Sequence, residues 1–260
     1  MSVPISTIQT PRFLKLLAHD IRWNILVLLA RSDYCVQELA RLIQKPQNLV
    51  SYHLKQLRGQ NIVTERRSAA DSRDIYYSLE FGTLHTLYFA AAESLHPALT
   101  STDTSLEKAT PHLPNKQIRV LFLCTENSAR SQMAEALMRH LSKGKVEAFS
   151  AGSHPSRIHP YAVRAMAAIN IDISQQRSKH FDEFREQTFD YIITLCDRVL
   201  EACPTFPGDP ERIHWSFPNP ATVEGSENEK YRAFEQTSLQ LTNRIRLLLT
   251  LIERQKDRTA

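Results

Sequence analysis

The stretch Gln117–Leu141, QIRVLFLCTENSARSQMAEALMRHL, decides the fold. QIRVLFL (117–123) is a short apolar run of strand length, and SQMAEALMRHL (131–141) carries its apolar residues at helical spacing. The polar loop CTENSAR joins them. A loop running from a strand end into a helix N-terminus points backbone N–H groups and the positive dipole end at one spot, which makes an anion cradle. Cys124 stands at the bottom of that cradle. A thiolate there is stabilised and becomes a nucleophile aimed at a bound oxyanion. Arg130 closes the loop with a planar fork suited to two oxyanion oxygens, and Thr125, Glu126, Asn127, Ser128 and Ala129 complete the lining. Ser131 is placed to donate a hydrogen bond to the thiolate, and Asn127 to lock the loop. A Cys with an Arg six positions on is a weak signal alone; the flanking strand and helix make it specific.

After this stretch, apolar strand-like runs alternate with amphipathic helices, the sign of a parallel α/β sheet. Before it lies PALTSTDTSLEKATPHLPNK (97–116), rich in Ser, Thr and Pro, which reads as a linker. The expected division is 1–96, 97–116 and 117–260. A length of 260 residues suits two small domains. Hydrophobic residues at 42% and charged residues at 23% are globular usage and exclude a disordered or fibrous chain. The longest apolar runs, Ile25–Ala30 and Leu247–Leu249, fall far short of the ~20 residues of a membrane span. MSVPISTIQTPRF lacks a basic region followed by an apolar one. These features predict a cytoplasmic protein with no membrane contact. Its four cysteines, Cys35, Cys124, Cys196 and Cys203, are then reactive or metal-binding rather than bridged.

The first half reads as helices over Arg12–Ala30, Val36–Leu42 and Pro46–Gln60, then strands Ile62–Glu65 and Ile75–Leu79 around the turn RRSAADSRD. A closing helix follows through Leu84, Leu87, Tyr88, Ala91 and Leu95. Val50, Leu54 and Leu57 form the inward stripe of the third helix. This order is that of a mainly α winged helix-turn-helix. From Arg41 to Arg73, seven cations oppose two acids, a balance of +5 in 33 residues, which suits a polyanion. LKLLAHDIRWNILVLLA, CVQELARLI and NLVSYHLKQLRGQNIV resemble the ArsR family of metalloid- and metal-responsive repressors, over about residues 11–96. The resemblance implies a homodimer joined through the first and last helices and bound to a double-stranded DNA operator. Gln47, Asn48, Ser51, Tyr52 and Lys55 would face DNA, with Arg66, Arg67 and Arg73 on the wing. Many relatives carry Cys-Val-Cys at the second helix, but here Gln37 replaces the second thiol. Arsenite or a soft metal needs two or three thiolates, so Cys35 reads as a small packing residue. No metal site is expected.

In the second half, C-T-x-N-S-x-R-S-Q-M-A-E, FSAGSHP, DIS (172–174), ITLC, ACP and HWSFPNPA resemble the low-molecular-weight tyrosine phosphatase fold, a three-layer α/β domain with a parallel sheet. They are closer to its thioredoxin-coupled arsenate reductase branch, because phosphatases usually carry Pro where Gln132 stands. The resemblance runs from Ile118 to about Arg254. It implies that Cys124 attacks arsenate, Cys196 attacks Cys124 and releases arsenite, and Cys203 then forms Cys196–Cys203. Thioredoxin or another thiol donor reduces that disulfide, with no tightly bound cofactor. An intact helix across seven residues spans about 10.5 Å, whereas a disulfide needs Cα atoms within ~7 Å, so such a helix must unwind on oxidation.

Three departures stand out. Asn219-Pro220 occupies the place of the family's Asp general acid, whose loss typically costs about 10²–10⁴-fold. Glu126 replaces a common glycine; its carboxylate weakens anion binding unless protonated or turned away, and it is a substitute proton donor. Asn127, Glu135 and Ser150 match the branch's potassium site, but Lys179 stands where an Asp ligand belongs. Its ammonium is expected to replace the ion. The leading reading is an arsenic-responsive transcriptional regulator fused to an arsenate reductase. One alternative is a non-catalytic sensor of oxyanion, arsenite or redox state that controls DNA binding, with Cys124, Cys196 and Cys203 as an arsenite site. Another is a tyrosine phosphatase with a DNA-binding arm.

Overall fold

The computed structural model describes residues 10–71, 73–96, 117–201 and 203–256. The chain separates into two units, Met1–Ala109 and Thr110–Ala260; the expected linker lies outside the described residues.

In the first unit, α1 (Arg12–Leu17), α2 (Asp20–Leu29), β1 (Tyr34–Cys35), α3 (Val36–Ile43) and α4 (Gln47–Arg58) precede β2 (Val63–Arg67), β3 (Ile75–Leu79) and α5 (Phe81–Glu93). The helix expected over 12–30 is two helices. The chain leaves helical geometry at Ala18, and His19, in extended conformation, caps α2 by accepting the Ile21 N–H on its ring. Pro46 precedes α4 as its N-cap rather than opening it. The hairpin pairs Val63 with Leu79 through Arg67 with Ile75, and β1 extends the sheet as β1-β3-β2. Ile25, Leu29, Leu39, Val50, Leu54, Leu57 and Ile62 are fully buried, each contributing about 1.5–3 kcal/mol of apolar burial. Cys35 is half-buried at the start of α3, and its backbone N–H donates to the Glu38 carboxylate. No cluster of three or more His, Cys, Asp or Glu able to hold a metal occurs among the described residues.

The second unit runs β4 (Ile118–Cys124), α6 (Arg130–Leu141), β5 (Val146–Gly152), α7 (Pro160–Ala167), β6 (Tyr191–Thr194), α8 (Asp197–Glu201), β7 (Glu211–His214) and α9 (Glu227–Lys256). Its four strands are parallel in the order β5-β4-β6-β7. Val120 to Leu123 are fully buried, as a central parallel strand covered on both faces requires. Helix α6 packs on β4, β5 and α9, while α8 packs on β4 and β6. The chain goes from β4 to β5 on one side and later returns to β6 on the other. The C-terminal end of β4 is therefore the switch point of the sheet, where parallel sheets bind ligands. Among the described residues no helix is long and apolar enough to cross a membrane.

Candidate active site

Residues 124–131 make the bowl expected between β4 and α6. Asn127 takes the left-handed conformation, φ 47°, which aims its N–H at Cys124 Sγ, 3.2 Å away. Its side chain is held from both ends. Oδ1 accepts from the Lys179 N–H (2.8 Å) and from Gln132 Nε2 (3.0 Å), so Nδ2 must donate to the Ser131 and Ser150 hydroxyls. Ser131 Oγ thus receives one hydrogen bond from Asn127 and lies 2.8 Å from Cys124 Sγ, close enough to donate its own hydrogen to a thiolate there. Ser150 in turn donates to the Glu135 carboxylate. The chain from Glu135 thus reaches the sulfur, where the Asn127 N–H and the Ser131 hydroxyl converge.

Ala129, the N-cap of α6, offers no side-chain cap, so the helix N-terminus has no internal acceptor competing with an anion. Arg130 is 7% exposed. Its Nη1 donates to the Phe217 carbonyl at 2.9 Å and more weakly to Leu195, leaving Nε and Nη2 with no hydrogen-bond partner among the described residues. Glu126 is exposed and turned to the Ser128 and Ser156 hydroxyls, so its charge lies away from the sulfur.

Cys196 is buried, 3% exposed, at the end of β6. Its sulfur lies 3.3 Å from the hydroxyl of Thr125, the neighbour of Cys124. Helix α8 starts at the next residue but ends at Glu201, short of Cys203, so it covers only part of the span that the unwinding argument assumed to be helical. Asp197, its first residue, is locked between His214 Nε2 (3.1 Å) and the Ser216 hydroxyl (2.6 Å). Cys203 is half-buried, and burial raises its thiol above the usual range. Asn219 caps the short 3-10 helix Pro220–Thr222, its Oδ1 accepting the Ala221 N–H at 3.2 Å. A monovalent cation does not fit beside Asn127, because Lys179 Nζ is there already, 3.3 Å from Glu135 and 3.2 Å from the Arg177 carbonyl.

In the first unit Gln47, Asn48, Ser51, Tyr52 and Lys55 are all exposed, on the side of α4 away from Val50, Leu54 and Leu57. The wing brings Arg66, Arg67 and Arg73 together at the hairpin. Arg73, however, grips Asp71 with Nε at 3.0 Å and Nη2 at 2.6 Å, which pulls the Asp71 carboxyl down to about 2. Arg58 pairs with Glu65. The two acids in the basic segment are thus both taken, and Arg41, Lys45, Lys55, Arg66 and Arg67 carry its net charge.

A family model described as low molecular weight phosphotyrosine protein phosphatase matches residues 119–258. The chain belongs to that family. A second model, bacterial regulatory protein of the arsR family, matches residues 19–65, so the family's domain is fused here to an ArsR-type helix-turn-helix. An arsenate reductase of Halalkalibacterium halodurans is 39% identical over 132 residues, covering 51% of this chain and 94% of that protein. An arsenate reductase of Bacillus subtilis is 37% identical over 127 residues, covering 49% and 91%. A solved structure titled an arsenate reductase in oxidized state shares 30% identity over 52% of this chain and 98% of that one, with a TM-score of 0.46.

Sequence marked Gln132 only as the residue standing where phosphatases carry Pro, and did not single out Gly152 at all. Gln132, fully buried, donates Nε2 to the Asn127 carbonyl, to Asn127 Oδ1 and to the Arg177 carbonyl, so it braces the left-handed turn. Gly152 ends β5 against the loop; a Cβ there would meet the Thr125 carbonyl at 2.6 Å and the Asn127 nitrogen at 2.8 Å. Glycine closing a strand of FSAGSHP is the one signal available beforehand, and only the fold gives it meaning.

Proposed function

We propose that this chain is an arsenic-responsive transcriptional regulator whose second unit reduces arsenate to arsenite. The observation that carries the reading is the hydrogen-bond chain that ends on Cys124 Sγ, with Cys196 seated on the adjacent Thr125. Thr125 to Ala129 and the unoccupied donors of Arg130 receive the oxyanion. The Cys124 thiolate bonds to arsenic and displaces one hydroxyl oxygen of arsenate, which takes a proton from solvent and leaves as water. The Cys196 thiolate then attacks the Cys124 sulfur, and the arsenic–sulfur electron pair stays with arsenic. Two thiols become one disulfide, As(V) becomes As(III), and arsenite leaves. Cys203 attacks Cys196 and frees Cys124; thioredoxin reduces the resulting Cys196–Cys203 bond. The first unit would bind an operator as a homodimer, through α4 in the major groove and the wing on the backbone.

A second reading, a sensor with little turnover, is favoured by Asn219, whose carboxamide donates a hydrogen bond but no proton. Thioredoxin-coupled arsenate turnover on wild type, Cys196→Ser and Asn219→Asp separates the two. Turnover that Cys196→Ser abolishes supports the reductase. No turnover in wild type, appearing in Asn219→Asp with a gain of about 10²–10⁴-fold, supports the sensor. Rapid hydrolysis of para-nitrophenyl phosphate that survives Cys196→Ser would instead mark a phosphatase.

A further inference from the structure

The segment joining the second and third thiols is held unequally at its two ends. At the start, Asp197 is 2% exposed and fixed by His214 and Ser216, while His214 Nδ1 is itself bonded to the Thr194 hydroxyl at 2.8 Å. At the far end Cys203 Sγ donates to the Pro204 carbonyl next to it at 3.6 Å, and a guanidinium from a neighbouring strand reaches both that sulfur and that carbonyl. Arg212 places Nη1 3.8 Å from Cys203 Sγ and Nη2 3.4 Å from the Pro204 carbonyl. Arg212 has no carboxylate partner among the described residues, so its charge acts on that sulfur. Cys196 is therefore the stationary thiol and Cys203 the one that travels, and the traveller sits under a cation.

We infer that Arg212 is a further catalytic residue of the relay, the group that steadies the Cys203 thiolate as it forms for attack on the Cys124–Cys196 disulfide. The inference rests on the reductase reading. In this exchange the Cys203 thiol first loses its proton to solvent. Its sulfur then bonds to Cys196 Sγ, the Cys124–Cys196 bond breaks, and Cys124 leaves as a thiolate; no net electrons are gained or lost. Exchange runs through the thiolate, and burial works against a thiolate at Cys203 while Arg212 works for it. The strand carrying Arg212 lies beside the one that delivers Cys196, since β7 pairs with β6 through Arg212 and Ile192.

The test is alkylation of the reduced full-length chain with iodoacetamide across pH, with each cysteine read by mass spectrometry. Arg212→Gln should move the Cys203 profile to higher pH and slow its alkylation at neutrality by about two- to fivefold, the worth of an exposed charge contact. Cys124 and Cys196 should be unchanged, and Arg212→Lys should restore most of the effect. A Cys203 profile that stays put in Arg212→Gln, or that Arg212→Lys fails to rescue, overturns the assignment. The readout needs no arsenate turnover. A wild type that shows no relay, with a Cys203 profile that still shifts in Arg212→Gln, counts against the reductase reading alone, and a working wild-type relay with an unshifted profile counts against Arg212 alone.

Discussion

Replacing Lys179 by alanine removes the cation that the fold has placed beside the anion bowl. Lys179 Nζ lies 3.3 Å from Glu135 Oε2, with side-chain exposures of 13% and 3%. At that distance and an effective dielectric of about 20, the attraction is about 5 kcal/mol. Glu135 keeps Arg139 at 2.6 Å and the Ser150 hydroxyl, and the ammonium regains its hydration in the unfolded chain. The net loss is therefore about 2–3 kcal/mol, below that of a fully orphaned buried charge. For a unit of this size that lowers Tm by about 5–10 °C. The vacated space faces a carboxylate and the Arg177 carbonyl, hard oxygen donors that accept a potassium ion. Thermal melting and arsenate turnover in matched KCl and NaCl read the outcome. Wild type should behave identically in the two salts, while Lys179→Ala should recover stability and activity in KCl. A wild type stimulated by KCl, or a variant whose Tm falls by less than about 1 °C, refutes the reasoning.

Gly152→Ala forces the loop off the end of β5 and should destabilise the unit by about 1–3 kcal/mol. It should also abolish phosphate protection of Cys124 against iodoacetamide; intact protection would show that the loop has room. His53, 3% exposed, is held below its usual 6.5 by burial, with His19 and Arg22 beside it. As pH falls, the unfolded chain takes up the proton first. The stability of the first unit is full above about 6.5 and is lost as pH drops through that value towards the lower folded one. Melting curves across this range should flatten in His53→Gln. On operator DNA, Lys55→Ala should reduce the salt slope of binding by about one. Arg73→Ala, whose charge already faces Asp71, should reduce it by less; equal slopes in titrations at several salt concentrations would contradict this.

The parts of the fold that were legible in sequence are those set by local pattern. QIRVLFL followed by CTENSAR and an amphipathic helix is enough to place a strand, a bowl and a helix, and the polar face of NLVSYHLKQLR lies outward as its spacing requires. The break between α1 and α2 was not legible, because the apolar rhythm runs on through Leu16, Leu17, Ile21 and Ile25 and histidine is an uncommon cap. Strand β1 has two residues and exists only through its pairing with Tyr76 and Tyr77. The brace of Gln132 ties the bowl to Arg177, 45 residues on, so no window of sequence contains it. The contact of Arg212 with Cys203 likewise arises only when β7 lies down beside β6. Glu126 was legible as an anomaly, but its turn towards Ser156 depends on the loop after β5.

The central claim is that Cys124, Cys196 and Cys203 pass one oxidation along in that order. Non-reducing peptide mapping after a single arsenate turnover tests it directly. Wild type should yield a Cys196–Cys203 peptide, and Cys203→Ser should trap Cys124–Cys196 instead. Arsenate-treated protein in which all three thiols stay free, or a Cys196–Cys203 bond that forms as readily in Cys124→Ser, would contradict the account.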